Sequence, residues 1–129
     1  MKIMYADLDF FLALLKDEDW LKSKAEEIYK NSNKEIWTST LTLQELILYA
    51  VREKHNPSEY VEKILGLVKV KESVITVEMC LGVTDLINKY NFTIFDAFHA
   101  MICEGDVIIS SDKIYDKIGL KRIKLEEKH

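Results

Sequence analysis

Four acidic residues of this chain stand alone among uncharged neighbours. Asp7 ends an apolar run in which no charge follows Lys2. Glu45 is the only charge between Leu41 and Val51, and Asp96 is the only formal charge between Lys89 and Glu104. Asp112 directly follows Val107-Ile108-Ile109-Ser110-Ser111. A carboxylate on a mostly buried element must be protonated, paired or metal-bound, because desolvating it bare costs several kcal/mol. Cationic partners are few: arginine occurs only at Arg52 and Arg122, and most lysines occupy positions that read as solvated. One shared divalent cation would satisfy all four acids. Oxygen-only donors, with no Cys or His at ligand spacing, favour Mg²⁺ or Mn²⁺ over Zn²⁺. Each acid also has a plainer reading. Asp7 and Asp112 can cap the helical turns that follow them, Asp96 can complete a capping box with Thr93, and Glu45 can sit on the wet face of a helix.

Other chemistry is poorly represented. Cys80 and Cys103 are far apart, form no CxxC motif and read as small core hydrophobes. No Ser or Cys nucleophile is arranged with a His base. His99 lies three residues after Asp96, hence on the same helix face, and reads either as a satisfied core histidine or as support for the acid site. Lys113, Lys117, Lys121, Arg122 and Lys124 place five basic groups near Asp112 against one acid, Asp116. They are a candidate phosphate-backbone contact, Lys113 and Lys117 foremost, or simply a solvated face.

The elements that position these residues alternate in type. Apolar runs at Lys2–Ala6, Ile36–Ser39, Val107–Ser110 and Lys121–Leu125 read as strands, and 73–77 is β-rich. A helical turn is expected over Phe10–Leu15. Asp19 is the expected cap of a helix carrying Trp20, Leu21, Ala25, Ile28 and Tyr29. Thr42 is the expected cap of a helix with Leu43, Leu46, Ile47, Ala50 and Val51 on one face. Asn56-Pro57-Ser58-Glu59 is a strong helix start. Further helices are expected through Val77, Cys80, Val83, Ile87 and Tyr90, over Thr93–Glu104 before Gly105, and briefly over Asp112–Ile118. Strands alternating with helices predict an α/β fold, a parallel sheet covered on both faces, with ligands at the carboxyl ends of the strands where strand order reverses.

At these residues the chain resembles the PIN-domain family, most closely the VapC-type ribonuclease toxins of prokaryotic toxin–antitoxin pairs. The resemblance rests on Tyr5 to Leu15, on Ser39 to Leu46, on Phe95-Asp96-Ala97-Phe98-His99-Ala100 and on Gly105 to Asp112, in that order along nearly the whole chain. It implies a three-layer α/β/α fold with a central parallel sheet of about five strands, in which Asp7 and Asp112 face each other across the crevice between the first and fourth strands. Glu45 and Asp96 would come from helices. Asp7, Glu45, Asp96 and Asp112 would then be the catalytic, metal-binding acids. Ser110 matches a supporting hydroxyl position that would bond a carboxylate, a metal-bound water or a phosphate oxygen. Asp9 departs from the Asn, Ser or Thr often found in relatives; it is a fifth acid of the site or a partner of the first helix N-terminus. The implied function is metal-dependent endoribonuclease activity with one or two Mg²⁺ or Mn²⁺ ions, leaving a 5′-phosphate. The implied partners are RNA, a small antitoxin protein and a second copy in a homodimer.

Two rival readings remain open at this level. Asp7-Leu8-Asp9 is similar to the start of haloacid-dehalogenase-type phosphatases, although Phe11 stands where that family expects Thr or Val, and Gly105-Asp106 precedes its strand instead of following it. A PIN-like interaction module with an inactive site is the other, against which the presence of all four acids counts. Composition sets outer bounds. With 129 residues, 48% hydrophobic and 31% charged, the chain is expected to be one globular domain over residues 1–129. No charge-free run exceeds the nine residues of Ile36–Gln44, and an acid at Asp7 interrupts the N-terminal apolar stretch. No membrane span or signal peptide is therefore expected, and the expected location is cytoplasmic. The net charge of -4 argues at first against nucleic acid. That charge equals the formal charge of the four lone acids, so a bound dication would remove the objection.

Overall fold

The computed structural model describes residues 2–127; Met1, Lys128 and His129 of the expected 1–129 domain lie outside them. Five strands form one all-parallel sheet: β1 (Met4–Ala6), β2 (Ile36–Ser39), β3 (Lys69–Lys71), β4 (Val107–Ser110) and β5 (Arg122–Lys124). Their spatial order is β3-β2-β1-β4-β5. The chain builds outward from β1 to β3, then crosses back to lay β4 on the other side of β1. The order therefore reverses between β1 and β4, where Tyr5 pairs with Ile108 and Ala6 with Ile109.

Period-two alternation splits the core into two layers. Met4, Ala6, Ile36 and Ile109 pack on one face with Phe10, Phe11 and Ala13 of α1 (Leu8–Leu15), Ala25 and Ile28 of α2 (Lys22–Ser32) and Ile64 of α4 (Pro57–Leu67). Tyr5, Trp37 and Ile108 pack on the other with Val83 of α5 (Val77–Tyr90) and Ala97 and Ile102 of α6 (Ile94–Ile102). The third helix, α3 (Thr40–Arg52), closes the edge of the sandwich, with Leu46 in the first layer and Leu41 in the second. The result is the expected three-layer α/β/α arrangement.

Local signals held where one side chain determines the turn. Asn56 caps α4 by accepting from the Ser58 amide at 3.1 Å, with Pro57 first in the helix. Thr93 caps α6. Asp19 is not the cap of α2: it accepts from the Leu21 amide at 2.8 Å in the preceding turn, and Leu21 stands at the cap position without a side-chain bond. Thr42 is not a cap. The helix begins earlier, at Thr40, and Thr42 is buried in it, where its hydroxyl meets that of Thr38 at 2.8 Å. Residues 73–76 are not a strand; β3 lies before them, because Lys69–Lys71 is the stretch that reaches Trp37, Thr38 and Ser39 of β2.

Burial departs from the helical stripes at their edges. Cys103 is buried, whereas Cys80 is exposed, because α5 buries only Val83 fully. Trp20 is 72% exposed and precedes α2 instead of joining its inner face. Val51, Leu65, Val74, Val77 and Leu81 are likewise exposed. No helix of the described residues is long and apolar enough to cross a membrane.

Ile64 is the one residue of α4 that is fully buried. Ile64→Ala leaves a cavity where α4 meets the sheet, and the expected loss is about 2–5 kcal/mol of unfolding free energy. Urea denaturation should show a lower midpoint with an unchanged slope.

Candidate active site

The reversal point gathers the lone acids. Asp7 follows β1 and is 3% exposed. It caps α1, accepting the Asp9 amide on Oδ1 at 3.0 Å. Asp112 follows β4 by one residue and caps the short 3₁₀ helix Lys113–Ile118, accepting the Ile114 amide on Oδ1 at 3.0 Å. Asp96 sits in the first turn of α6, its amide donating to Thr93 Oγ1 at 3.4 Å. The cap readings and the site reading are therefore compatible. Capping spends one oxygen of Asp7 and one of Asp112, and leaves the other oxygen of each for the crevice.

Hydroxyls tie these groups together. Tyr115 Oη lies 3.1 Å from Asp96 Oδ1 and 3.5 Å from Asp7 Oδ2, and donates its one proton to the nearer. Ser110 is fully buried; its Oγ accepts the Asp112 amide at 3.0 Å and lies 3.4 Å from Asp9 Oδ2. Ser111 donates to Asp9 Oδ2 at 2.6 Å. Asp9 thus belongs to the acid group, held against β4 by two serines. Glu45 comes from the middle of α3, is 19% exposed, and bonds His99 Nε2 at 2.8 Å. It also lines a cavity of about 200 Å³ with Leu8, Leu48, Tyr49, Arg52 and Phe95.

No cation relieves the crowding. Among the described residues, none of Asp7, Asp9, Asp96 or Asp112 forms an ion pair with a lysine or arginine. Burial pushes the Asp7 carboxyl well above the usual carboxylate range, aided by the charges of Asp9, Asp96 and Glu45 and opposed by the Ser110 hydroxyl. Burial and the adjoining Asp112 carboxyl push Asp96 up to about 7. Tyr115 is also raised, by burial and then by Asp7 and Asp96, so its hydroxyl stays a donor.

The other expected residues are less tightly placed. Lys117 Nζ donates to the Tyr90 carbonyl at 3.3 Å. Lys113 is exposed beside Asp112, where its charge also acts on Asp116 and Glu126. Arg122 is not free for phosphate: its guanidinium bonds Asp116, Glu126 and the Ser110 carbonyl. Asp106 accepts from Trp37 Nε1 at 2.9 Å, so the Gly105-Asp106 pair is absorbed by packing. Sequence reasoning missed Tyr5, Tyr115, Ser111 and Arg52. Two of them had a readable signal. Tyr115 lies three residues after Asp112, the eclipsed spacing of a 3₁₀ helix. Arg52 lies two helical turns after Glu45.

Carboxyls whose folded pKa is raised bind more protons folded than unfolded, so stability falls as pH rises through that window. Metal-free protein should therefore lose thermal stability between the ordinary value of 3.8 and about 7. Asp96→Asn should flatten that decline and raise the melting temperature above pH 7, which scanning calorimetry in EDTA across pH will show. Asp116 and Glu126, lowered by Arg122, act oppositely: their contribution is lost as pH falls through their folded values.

No curated protein sequence matches the chain significantly. Solved structures do. VapC20 of Mycobacterium tuberculosis, a sarcin–ricin-loop-cleaving toxin, is similar at a TM-score of 0.72 and 16% identity, covering 91% of this chain and 95% of that one. DNA-bound VapBC of Salmonella typhimurium is similar at 0.67 and 17% identity, covering 97% and 99%. A toxin–antitoxin complex from Klebsiella pneumoniae is similar at 0.66 and 13% identity, covering 98% and 99%. At these identities the likeness is one of fold. The model of the PIN domain family matches residues 4–121, a span that takes in all four acids, and the chain belongs to the PIN domain family.

Proposed function

We propose that this protein is a divalent-metal-dependent endoribonuclease, the toxin of a toxin–antitoxin pair. The observation that carries the reading is the group Asp7, Asp96 and Asp112, with Glu45 at its edge, crowded at the β1–β4 reversal without a counter-cation. The donor set suits a hard dication: all oxygen, mostly carboxylate, with Asp7 and Asp96 pushed toward their protonated forms by burial and then by neighbouring carboxyls, chiefly Asp9 for the first and Asp112 for the second. Its spacing as it stands is not that of a ligated ion, since among the described residues no three His, Cys, Asp or Glu side chains are arranged to hold one. Asp96 leans on Asp112 instead, and must turn from it to share a ligand.

Asp7, Asp96 and Asp112 would hold the ion, one or two in number. A bound Mg²⁺ or Mn²⁺ supplies a lowered pKa for water and neutralises charge on the phosphoryl oxygens. Tyr115 holds the Asp96 oxygen it bonds, and Ser110 and Ser111 hold Asp9 back against β4. Glu45, partly open to solvent and fixed by His99, is the carboxylate we assign to orient the attacking water and accept its proton. Attack at phosphorus expels the 3′ oxygen and leaves a 5′-phosphate. Arg52, in the same cavity as Glu45, and exposed Lys113 are the cations placed to meet the backbone; Lys117 is a weaker candidate because Tyr90 engages it.

Support for the partners comes from the neighbouring folds, solved as VapBC and as a toxin–antitoxin complex, and from the exposed apolar residues Val74, Val77 and Leu81, which offer a face to an antitoxin or to a second copy. The proposed site of action is the cytoplasm, where RNA is found.

Wild type should cleave single-stranded RNA with Mg²⁺ or Mn²⁺ and stop on adding EDTA. Asp7→Asn and Asp96→Asn should reduce cleavage to the EDTA level while keeping the far-ultraviolet circular dichroism of wild type. Turnover of a small phosphomonoester, with none on RNA, contradicts the reading.

A further inference from the structure

We infer that His99 is a positioning residue for Glu45, locked by Tyr5 in the tautomer that carries its proton on Nε2. A buried chain of polar side chains runs from the sheet to the edge of the crevice. Ser39 Oγ lies 2.8 Å from Tyr5 Oη, Tyr5 Oη lies 2.7 Å from His99 Nδ1, and His99 Nε2 lies 2.8 Å from Glu45 Oε1. Tyr5 and Ser39 are fully buried and His99 is 1% exposed. Thr42, also fully buried, stands 3.5 Å from Tyr5 Oη and is tied through Thr38 to the Ala6 carbonyl. No buried side-chain nitrogen or oxygen among the described residues lacks a partner.

The inventory of donors sets the direction of this chain. A carboxylate only accepts, so Nε2 must carry hydrogen. A neutral imidazole has one N–H, so Nδ1 is an acceptor and the Tyr5 hydroxyl donates to it. The Tyr5 oxygen is then free to accept from Ser39. Run the other way, with Tyr5 donating to Ser39, Nδ1 would carry hydrogen, and the ring would either turn a lone pair on Glu45 or be an imidazolium with hydrogen on both nitrogens; the state we infer is the neutral ring with hydrogen on Nε2 alone.

Packing alone does not call for this arrangement. Tyr5 already stacks edge-on with Trp37 at 4.7 Å, in a layer otherwise made of apolar groups. Leucine at position 99 and phenylalanine at position 5 would fill the same space. What the polar chain adds is a fixed donor for one partly exposed carboxylate. It holds Glu45 on the side of α3 that faces α6, within range to act on the charge of Asp7. The catalytic consequence rests on the ribonuclease reading above; the tautomer does not.

The test uses full-length wild type, Tyr5→Phe, His99→Leu and His99→Gln. Nitrogen NMR of the wild-type ring should show hydrogen on Nε2 alone, and Tyr5→Phe should lose that single-tautomer pattern. The Glu45 carboxyl carbon shift should move in His99→Leu and return toward wild type in His99→Gln, which keeps an N–H donor. In RNA cleavage with Mn²⁺, Tyr5→Phe and His99→Leu should lose about 10- to 100-fold in kcat, as removal of a group that orients a site carboxylate does. KM for RNA should stay within about twofold, and His99→Gln should recover most of the loss. Hydrogen on Nδ1, an unmoved Glu45 shift, or wild-type kcat in both Tyr5→Phe and His99→Leu overturns the inference. Should wild type itself cleave no RNA, the ribonuclease reading fails, and the ring and carboxyl shifts still decide the positioning of Glu45.

Discussion

A crowd of carboxylates that no lysine or arginine among the described residues neutralises is the constraint around which the molecule is arranged. Asp7 is buried, Asp96 adjoins Asp112, and Asp9 is near enough to Asp7 to raise its pKa. Like charges in a low-dielectric crevice are unfavourable, so the chain supplies every compensation short of a cation. Backbone amides at the starts of α1 and the 3₁₀ helix each take one oxygen, and the partial positive ends of α1 and α6 lie beside Asp7 and Asp96. Tyr115, Ser110 and Ser111 provide hydroxyls. What remains uncompensated, burial first, pushes the Asp7 and Asp96 carboxyls above the usual carboxylate range. A divalent cation is the ligand we propose for such a donor set.

The sheet explains why the acids meet. Parallel strands deliver all their carboxyl ends to one edge, and the strand order reverses there between β1 and β4. Asp7 and Asp112 are the residues that the chain presents as it leaves those two strands. Glu45 and Asp96 arrive on helices that pack over the same edge, and His99, on the inner face of α6, bridges α6 to α3 through Glu45. The core reading of His99 is what the packing shows, and its bond to Glu45 is the contact on which the supporting role is proposed.

Much of this was legible beforehand because it depends on local chemistry. β2 and β4 appear with their expected bounds, and the Asn56 and Thr93 caps form as their side chains dictate. All four isolated acids could be named because a charge in an apolar run is conspicuous. What escaped depends on partners distant in sequence. Residues 73–76 have β-rich side chains, yet Lys69–Lys71 became β3, since strand identity there is set by reach to Trp37 and Ser39. Thr42 looked like a cap and is a buried link to Thr38, because Ser39 ends β2 and the helix starts at once. Tyr5 and Tyr115 were not singled out in the sequence, because only the fold puts their hydroxyls on His99 and Asp96. The outer faces of α3, α4 and α5 carry more apolar residues than the core uses, a surplus that helical periodicity cannot separate from core.

The central claim, that these carboxylates share a divalent cation, is most directly tested by titrating Mn²⁺ into the metal-free protein by calorimetry near neutral pH, with Asp96→Asn as the comparison. The account predicts saturable binding by wild type and a clear loss of affinity in the variant. Equal affinity in the two proteins, or no binding by wild type, contradicts it.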